Sequence, residues 1–453
     1  MTHKFSLPVP EGKSKQLAIG WLILAISTLV MAGFYALLLV LSRTPYIKDV
    51  FPWVDFFYTA LVVHVDFTVL FWFLAFAGVF WSICSTSKLV WLSQAGLVLS
   101  AIGGIIIAAA PLMGVGHPLI NNYIPVLQEP QFFLGLIIFG FGFTLLVIHS
   151  IITIPPVSSW KEEEKALRYG CLFASIAALI SIICFLWSFT ITPTTLESTE
   201  YYEILFWGGG HVLQFTHALF MVVVWIWLSS QTGIPLKIEN KIIITILLLG
   251  VAMVFFFPWP YLTYGITSTN MRQWFLWLME SGGGIAALPI GGYLLFALLF
   301  KGGKADGENK YLRAGIVISI ALFGTGGTIG FMIKESSTLI TAHYHGTNVA
   351  VTLSFMLVAY YLLPRIGFGF PNKKVALIQV YFYGAGQLMH IIGLAWAGGY
   401  GMQRKIAGGA QTLDTIQQTV AMGLMGIGGV ISVIGGLMFF FVVFPAMRRK
   451  AEN

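Results

Sequence analysis

TLITAHYHGTNVAVTL, residues 338–353, sets two histidines two places apart inside an apolar run. On a helix, positions i and i+2 leave the axis about 200° apart. His343 and His345 therefore face opposite flanks and do not converge on one ion. An ionisable side chain inside an apolar span is uncommon and marks function by default. Gly346, Thr347 and Asn348 follow, small enough to leave room beside the helix. The stretch reads as a helix able to hold one flat group on each side.

The rest of the chain says where that helix lies. Of 453 residues 57% are hydrophobic and 9% charged, against about a quarter charged in soluble domains. This balance excludes a soluble enzyme and a disordered chain. The net charge of +7 is no nucleic-acid footprint, because the basic residues sit in short loops between apolar runs. Those runs number twelve: 17–43, 56–84, 88–114, 132–154, 165–192, 201–230, 241–263, 272–300, 312–334, 338–363, 375–400 and 417–446. A span needs about 20 apolar residues, and lipid offers no partner to a free backbone amide, so each is expected as a helix. The expected fold is all-α, a twelve-span membrane bundle forming one domain over 1–453. With the N-terminus inside, nineteen of the 25 lysines and arginines fall on the inner side. That bias places both termini in the cytoplasm. The N-terminus is polar to Lys15, so no cleavable leader is expected before the first span. Cys84, Cys171 and Cys184 lack C-x-x-C spacing and suggest neither disulfides nor zinc.

Orientation gives each histidine a depth. His64, His211, His343, His345 and His390 fall in one layer in the outer half of the membrane. His217 lies deeper, about 240° around the helix from His211. Neutral imidazole is a usual axial ligand of haem iron. His343 and His345 can each hold a different haem, and His64 lies at a depth to close the second face of one. That haem would be bis-histidine; the other would keep an open face.

These residues resemble subunit I of the haem-copper oxidase superfamily, in its compact non-mitochondrial form. The likeness rests on A-H-Y-H at 342–345, on VVHVDFTVLFWFLAF at 62–76, on NYIPVL at 122–127, and on HIIGL at 390–394 with GMQRK at 401–405. It implies two haems, b-type or related. His64 and His345 would be the axial ligands of the low-spin haem and His343 the proximal ligand of the high-spin haem. Arg404, Lys405 and His390 would line the propionates. It also implies a subunit II-like or cytochrome c-type partner on the outer face, or a quinone, since the chain has no C-x-x-C-H. The setting would be a prokaryotic cytoplasmic membrane.

The copper motif is incomplete. W-G-G-G-H at 207–211 keeps His211, but the family tyrosine four residues on is Phe215. In FFFPWPYLT at 255–263 the family's adjacent histidines fall on Leu262 and Thr263, and no His-His occurs in the chain. One imidazole without carboxylates holds copper weakly. Glu280, expected buried in the same layer, and Gln214, one turn from His211, are candidates for a polar distal pocket. Tyr261, Tyr264 and Thr263 add hydroxyls, and Asp66 follows His64 by two residues. Three functions stand: a dihaem electron-carrying subunit with a degenerate copper site, a terminal reductase of oxygen or nitric oxide using an atypical site, and a non-redox transporter on the same bundle.

Overall fold

A computed structural model describes residues 4–41, 56–113, 116–233, 236–301, 309–334, 336–404 and 413–450. Among them fifteen α-helices follow in chain order: α1 Gly12–Leu41, α2 Phe56–Val65, α3 Trp72–Cys84, α4 Val90–Ala109, α5 Pro130–Ile152, α6 Glu162–Ile191, α7 Ser198–Gln231, α8 Asn240–Ala252, α9 Pro258–Thr263, α10 Thr269–Gly282, α11 Ala287–Phe296, α12 Lys310–Gly330, α13 Thr338–Leu362, α14 Lys373–Gly399 and α15 Ile416–Met447. A two-stranded antiparallel hairpin, β1 Pro118–Leu119 and β2 Val126–Leu127, pairs Pro118 with Leu127 and Leu119 with Val126.

Among the described residues each of the twelve apolar runs is helical, and ten helices are long and apolar enough to cross a membrane. The other two differ for visible reasons. The eighth run is split between α10 and α11 by a turn after Gly282-Gly283-Gly284. The tenth, α13, carries the histidines, threonines and tyrosines that lower its hydropathy. The second run is one continuous helix, with a wide π-turn at Asp66–Phe71 joining α2 to α3. Such turns recur at functional sites.

Packing divides the chain into two compact units. One comprises Leu7–Phe220 and Asn240–Ile285. Its core is α3, every residue of which is buried. α1 lays Trp21 over Gly78, where a Cβ would stand 2.3 Å from the indole. α4 and α5 meet backbone to backbone at Gly96 and Gly142, the small-residue contact that membrane helices favour. Near the N-terminal end of α6, Arg168 donates from Nε to Glu164 at 2.7 Å and from Nη1 to the Cys84 carbonyl at 3.0 Å. Both partners are buried, so each satisfies a charge that would otherwise be costly there.

The second unit comprises Met1–Ser6, Met221–Glu239 and Ala286–Asn453. Its core is the C-terminal half of α13, buried from Val349 to Leu363. There Ser319 of α12 takes a hydrogen bond from the Trp225 indole at 2.9 Å and donates to the Ala350 carbonyl at 2.8 Å. α12 and α13 touch at Gly326 and Gly346, and α14 and α15 touch at Gly386, Gly393 and Gly428. These contacts position the histidines described next.

Candidate functional site

α13 changes character halfway along. From residue 349 on it is core; before it, Thr341, His343, Tyr344, His345, Thr347 and Asn348 are all partly or well exposed. Ser337 caps the helix and accepts from the Leu339 amide. The two imidazoles leave on opposite flanks, as their spacing requires. His343 turns toward α12, where its Nδ1 donates to the Gly326 carbonyl at 2.8 Å. Gly330 makes room, since a Cβ there would stand 2.7 Å from that nitrogen. His345 turns toward α14, with its ring 5.0 Å from the ring of His390. Its Nδ1 donates to Thr341 of its own helix at 2.9 Å. His390 donates from Nδ1 to the Met425 carbonyl on α15 at 2.9 Å. Arg404 donates to Ser336 Oγ at 3.1 Å, near the outer end of α13. Lys405 lies outside the described residues.

In the other unit His64 sits at the end of α2, immediately before the π-turn. Its Nδ1 donates to the Ala32 carbonyl on α1 at 2.8 Å. Asp66 is buried, and its Oδ2 has no hydrogen-bond partner among the described residues.

A carbonyl can only accept. Each of these histidines therefore carries its proton on Nδ1, and the neutral ring keeps a lone pair on Nε2. That is the form in which imidazole binds iron, with the second nitrogen fixed by a backbone acceptor. His149 is the reverse: its Nε2 donates to the Lys88 carbonyl at 3.1 Å and its Nδ1 is buried without a partner among the described residues. His217 packs its ring 4.8 Å from Phe73, with Nδ1 unpartnered among the described residues.

The corner around His211 is built differently. Its Nδ1 donates to Trp207 at 2.7 Å, but the ring is only 1% exposed. Trp207, Tyr123 and Phe275 surround it with ring centroids at 4.6, 4.8 and 5.8 Å. The glycines of W-G-G-G-H admit these rings. A Cβ at Gly208 would strike Tyr261 and Phe275, and one at Gly210 would stand 2.3 Å from Tyr123. Tyr123 is held by the turn at Asn121, whose Oδ1 accepts from the Tyr123 and Ile124 amides at 3.0 and 2.9 Å. Gln214 hydrogen-bonds the Tyr123 phenol, which burial and the Glu203 carboxylate keep well above its usual pKa. Sequence reading reached NYIPVL as a motif but not Tyr123 as the ring that closes over His211. The glycine triplet beside a histidine was the available signal.

Two expectations are corrected here. Glu280 is not buried beside His211: it lies on the exposed face of α10, opposite the face that carries Phe275. Arg272, two turns before it, pairs with Glu200 at 3.4 Å. Nor do hydroxyls gather at the end of α9. Tyr261 alone points inward, sharing a hydrogen bond with Ser188 at 2.8 Å and donating to the Cys184 carbonyl at 3.1 Å. Leu262, 75% exposed, and Thr263 point away. Among the described residues no three His, Cys, Asp or Glu side chains form a metal-binding group.

The donors thus fit one kind of group and not another. His64, His343 and His345 each hold Nδ1 on a backbone carbonyl, the tautomer in which imidazole binds haem iron. The corner offers one imidazole inside three aromatic rings, which does not fit copper.

A helical membrane protein with paired histidines on one span is the class these features define. Residues 16–438 match the family "Cytochrome C and Quinol oxidase polypeptide I". The chain belongs to that family, as a polytopic helical subunit I-like member. Two relatives share 28% identity with it. One is an uncharacterized protein of Rickettsia prowazekii (strain Madrid E), matched over 96% of this chain and 97% of its own. The other is an uncharacterized protein of Aquifex aeolicus (strain VF5), matched over 77% and 85%. Among solved structures, that of a heme-copper terminal oxidase dimer aligns with a TM-score of 0.72 at 15% identity, covering 98% of this chain and 86% of that one. At that identity the likeness is one of fold.

Proposed function

We propose that this chain is the haem-carrying subunit of a respiratory complex, passing electrons to a low-spin and high-spin haem pair without a working copper site. His64 and His345 are the axial ligands of the low-spin haem, a pairing that rests on the family resemblance and on depth read from the sequence. His343 is the proximal ligand of the high-spin haem. Haem, once bound, supplies one-electron redox chemistry at its iron. The protein's part is to fix each imidazole in one tautomer and one orientation. The observation that carries this reading is the common hydrogen bond from Nδ1 to a backbone carbonyl at all three positions. Electrons would enter from an outer partner bearing a c-type or copper centre, or from a quinone, and the setting is a prokaryotic cytoplasmic membrane.

A reduced-minus-oxidised spectrum of the purified protein, taken with and without carbon monoxide, tests the proposal. The expected result is the bands of two haems, one of which shifts on adding carbon monoxide because His343 leaves its other face open. A spectrum without haem bands would overturn the proposal and favour a transporter. Stoichiometric copper with rapid oxygen or nitric oxide turnover would favour the reductase.

A further inference from the structure

α10 is amphipathic in a way a lipid-facing span is not. Its buried face is Met271, Phe275, Leu278 and Gly282. Its opposite face is Gln273, Leu276, Trp277, Glu280 and Ser281, all exposed. The helix begins at Thr269 on the outer side of the expected topology. Counted from residue 272, where the eighth apolar run begins, Glu280 lies about 12 Å into the span, in the outer half of a hydrocarbon layer about 30 Å thick. No hydrogen bond or ion pair reaches Glu280 among the described residues, and the one cation on its helix, Arg272, is engaged by Glu200. A carboxyl with a hydroxyl beside it does not face lipid tails at that depth. A polar surface covers them.

We propose that this face of α10 docks a transmembrane helix of a different subunit, which sets a lysine or arginine against Glu280 within the membrane. Charge complementarity identifies the occupant. A second copy of this chain does not supply the cation, because its lysines and arginines lie in loops and at the ends of spans, and the buried Arg168 is held by Glu164. A two-fold contact through α10 would instead set Glu280 against Glu280. Leu276 and Trp277 flank the carboxyl and give the partner helix an apolar seat around the ion pair. This inference goes beyond the haem reading and does not depend on it.

The test uses the full chain in the membranes of the cells that make it. A benzophenone amino acid replaces Trp277, the membranes are irradiated, and the adduct is mapped by mass spectrometry. The expected adduct is one membrane segment of another subunit, with a lysine or arginine within one turn of the attachment point. Glu280→Lys should lower its yield about tenfold, and reversing the partner's cation to glutamate should restore it. If Glu280→Lys fails to accumulate, Glu280→Gln in the same assay should still lower the yield. Adducts to lipid alone, to a second copy, or to a segment without a cation would overturn the proposal. So would a yield that neither substitution changes.

Discussion

The N-terminal half of α13 and the corner around His211 use the same local device to opposite ends. In both, an imidazole Nδ1 donates to a backbone carbonyl and Nε2 keeps the lone pair. Gly330 makes room beside His343, His345 stands 5.0 Å from the ring of His390, and both rings are partly exposed. Around His211 glycines have let three aromatic rings close in, and the ring is buried. A ligand-ready tautomer is therefore not enough to make a site. Space and further donors decide, and the His211 corner has neither.

The comparison can be broken first at the histidines. His343→Ala should remove the high-spin haem, and His64→Ala or His345→Ala the low-spin one. Haem content should fall from two to about one per chain, read from the absorbance of the pyridine-treated protein. If His64→Ala and His345→Ala changed different haems, their pairing would be wrong. Next in size is the buried ion pair at the far end of α6. Glu164→Ala leaves Arg168 uncompensated and should cost about 3–5 kcal/mol, seen as a lower thermal midpoint in detergent with haem bands intact until unfolding.

Gly326→Val acts on the space itself. The added carbon would stand 2.7 Å from the Thr347 amide, forcing α12 from α13 and pulling the carbonyl from His343. A cost of about 1–3 kcal/mol is expected, together with an altered high-spin spectrum. An unchanged spectrum would detach that carbonyl from the orientation of His343. The smallest effect is a sharpening one. Leu262→His combined with Thr263→His should not create a copper site, because both side chains point away from His211. Metal analysis of the double variant should show no gain in copper, and a stoichiometric gain would place the end of α9 elsewhere.

Much of the architecture was legible because hydropathy and the i, i+2 spacing are local properties. The twelve apolar runs became helices, and the opposite flanks of His343 and His345 follow from helix geometry alone. What stayed hidden depends on contacts between segments distant in sequence. The carbonyls that hold His64 and His343 come from Ala32 and Gly326, on other helices. Only the glycine spacing at 326 and 330 hinted at the second. Depth could not give the face of Glu280, which the packing of Met271, Phe275 and Leu278 leaves exposed. Arg168, near the start of the fifth apolar run, is drawn inside by Glu164 one turn earlier.

The central assertion is that three imidazoles carry two porphyrins while the fourth, at 211, carries no copper. Iron, copper and haem counted together on one purified sample address it most directly. Two haem irons and no copper per chain are predicted; one equivalent of copper, or protein devoid of haem, would contradict it.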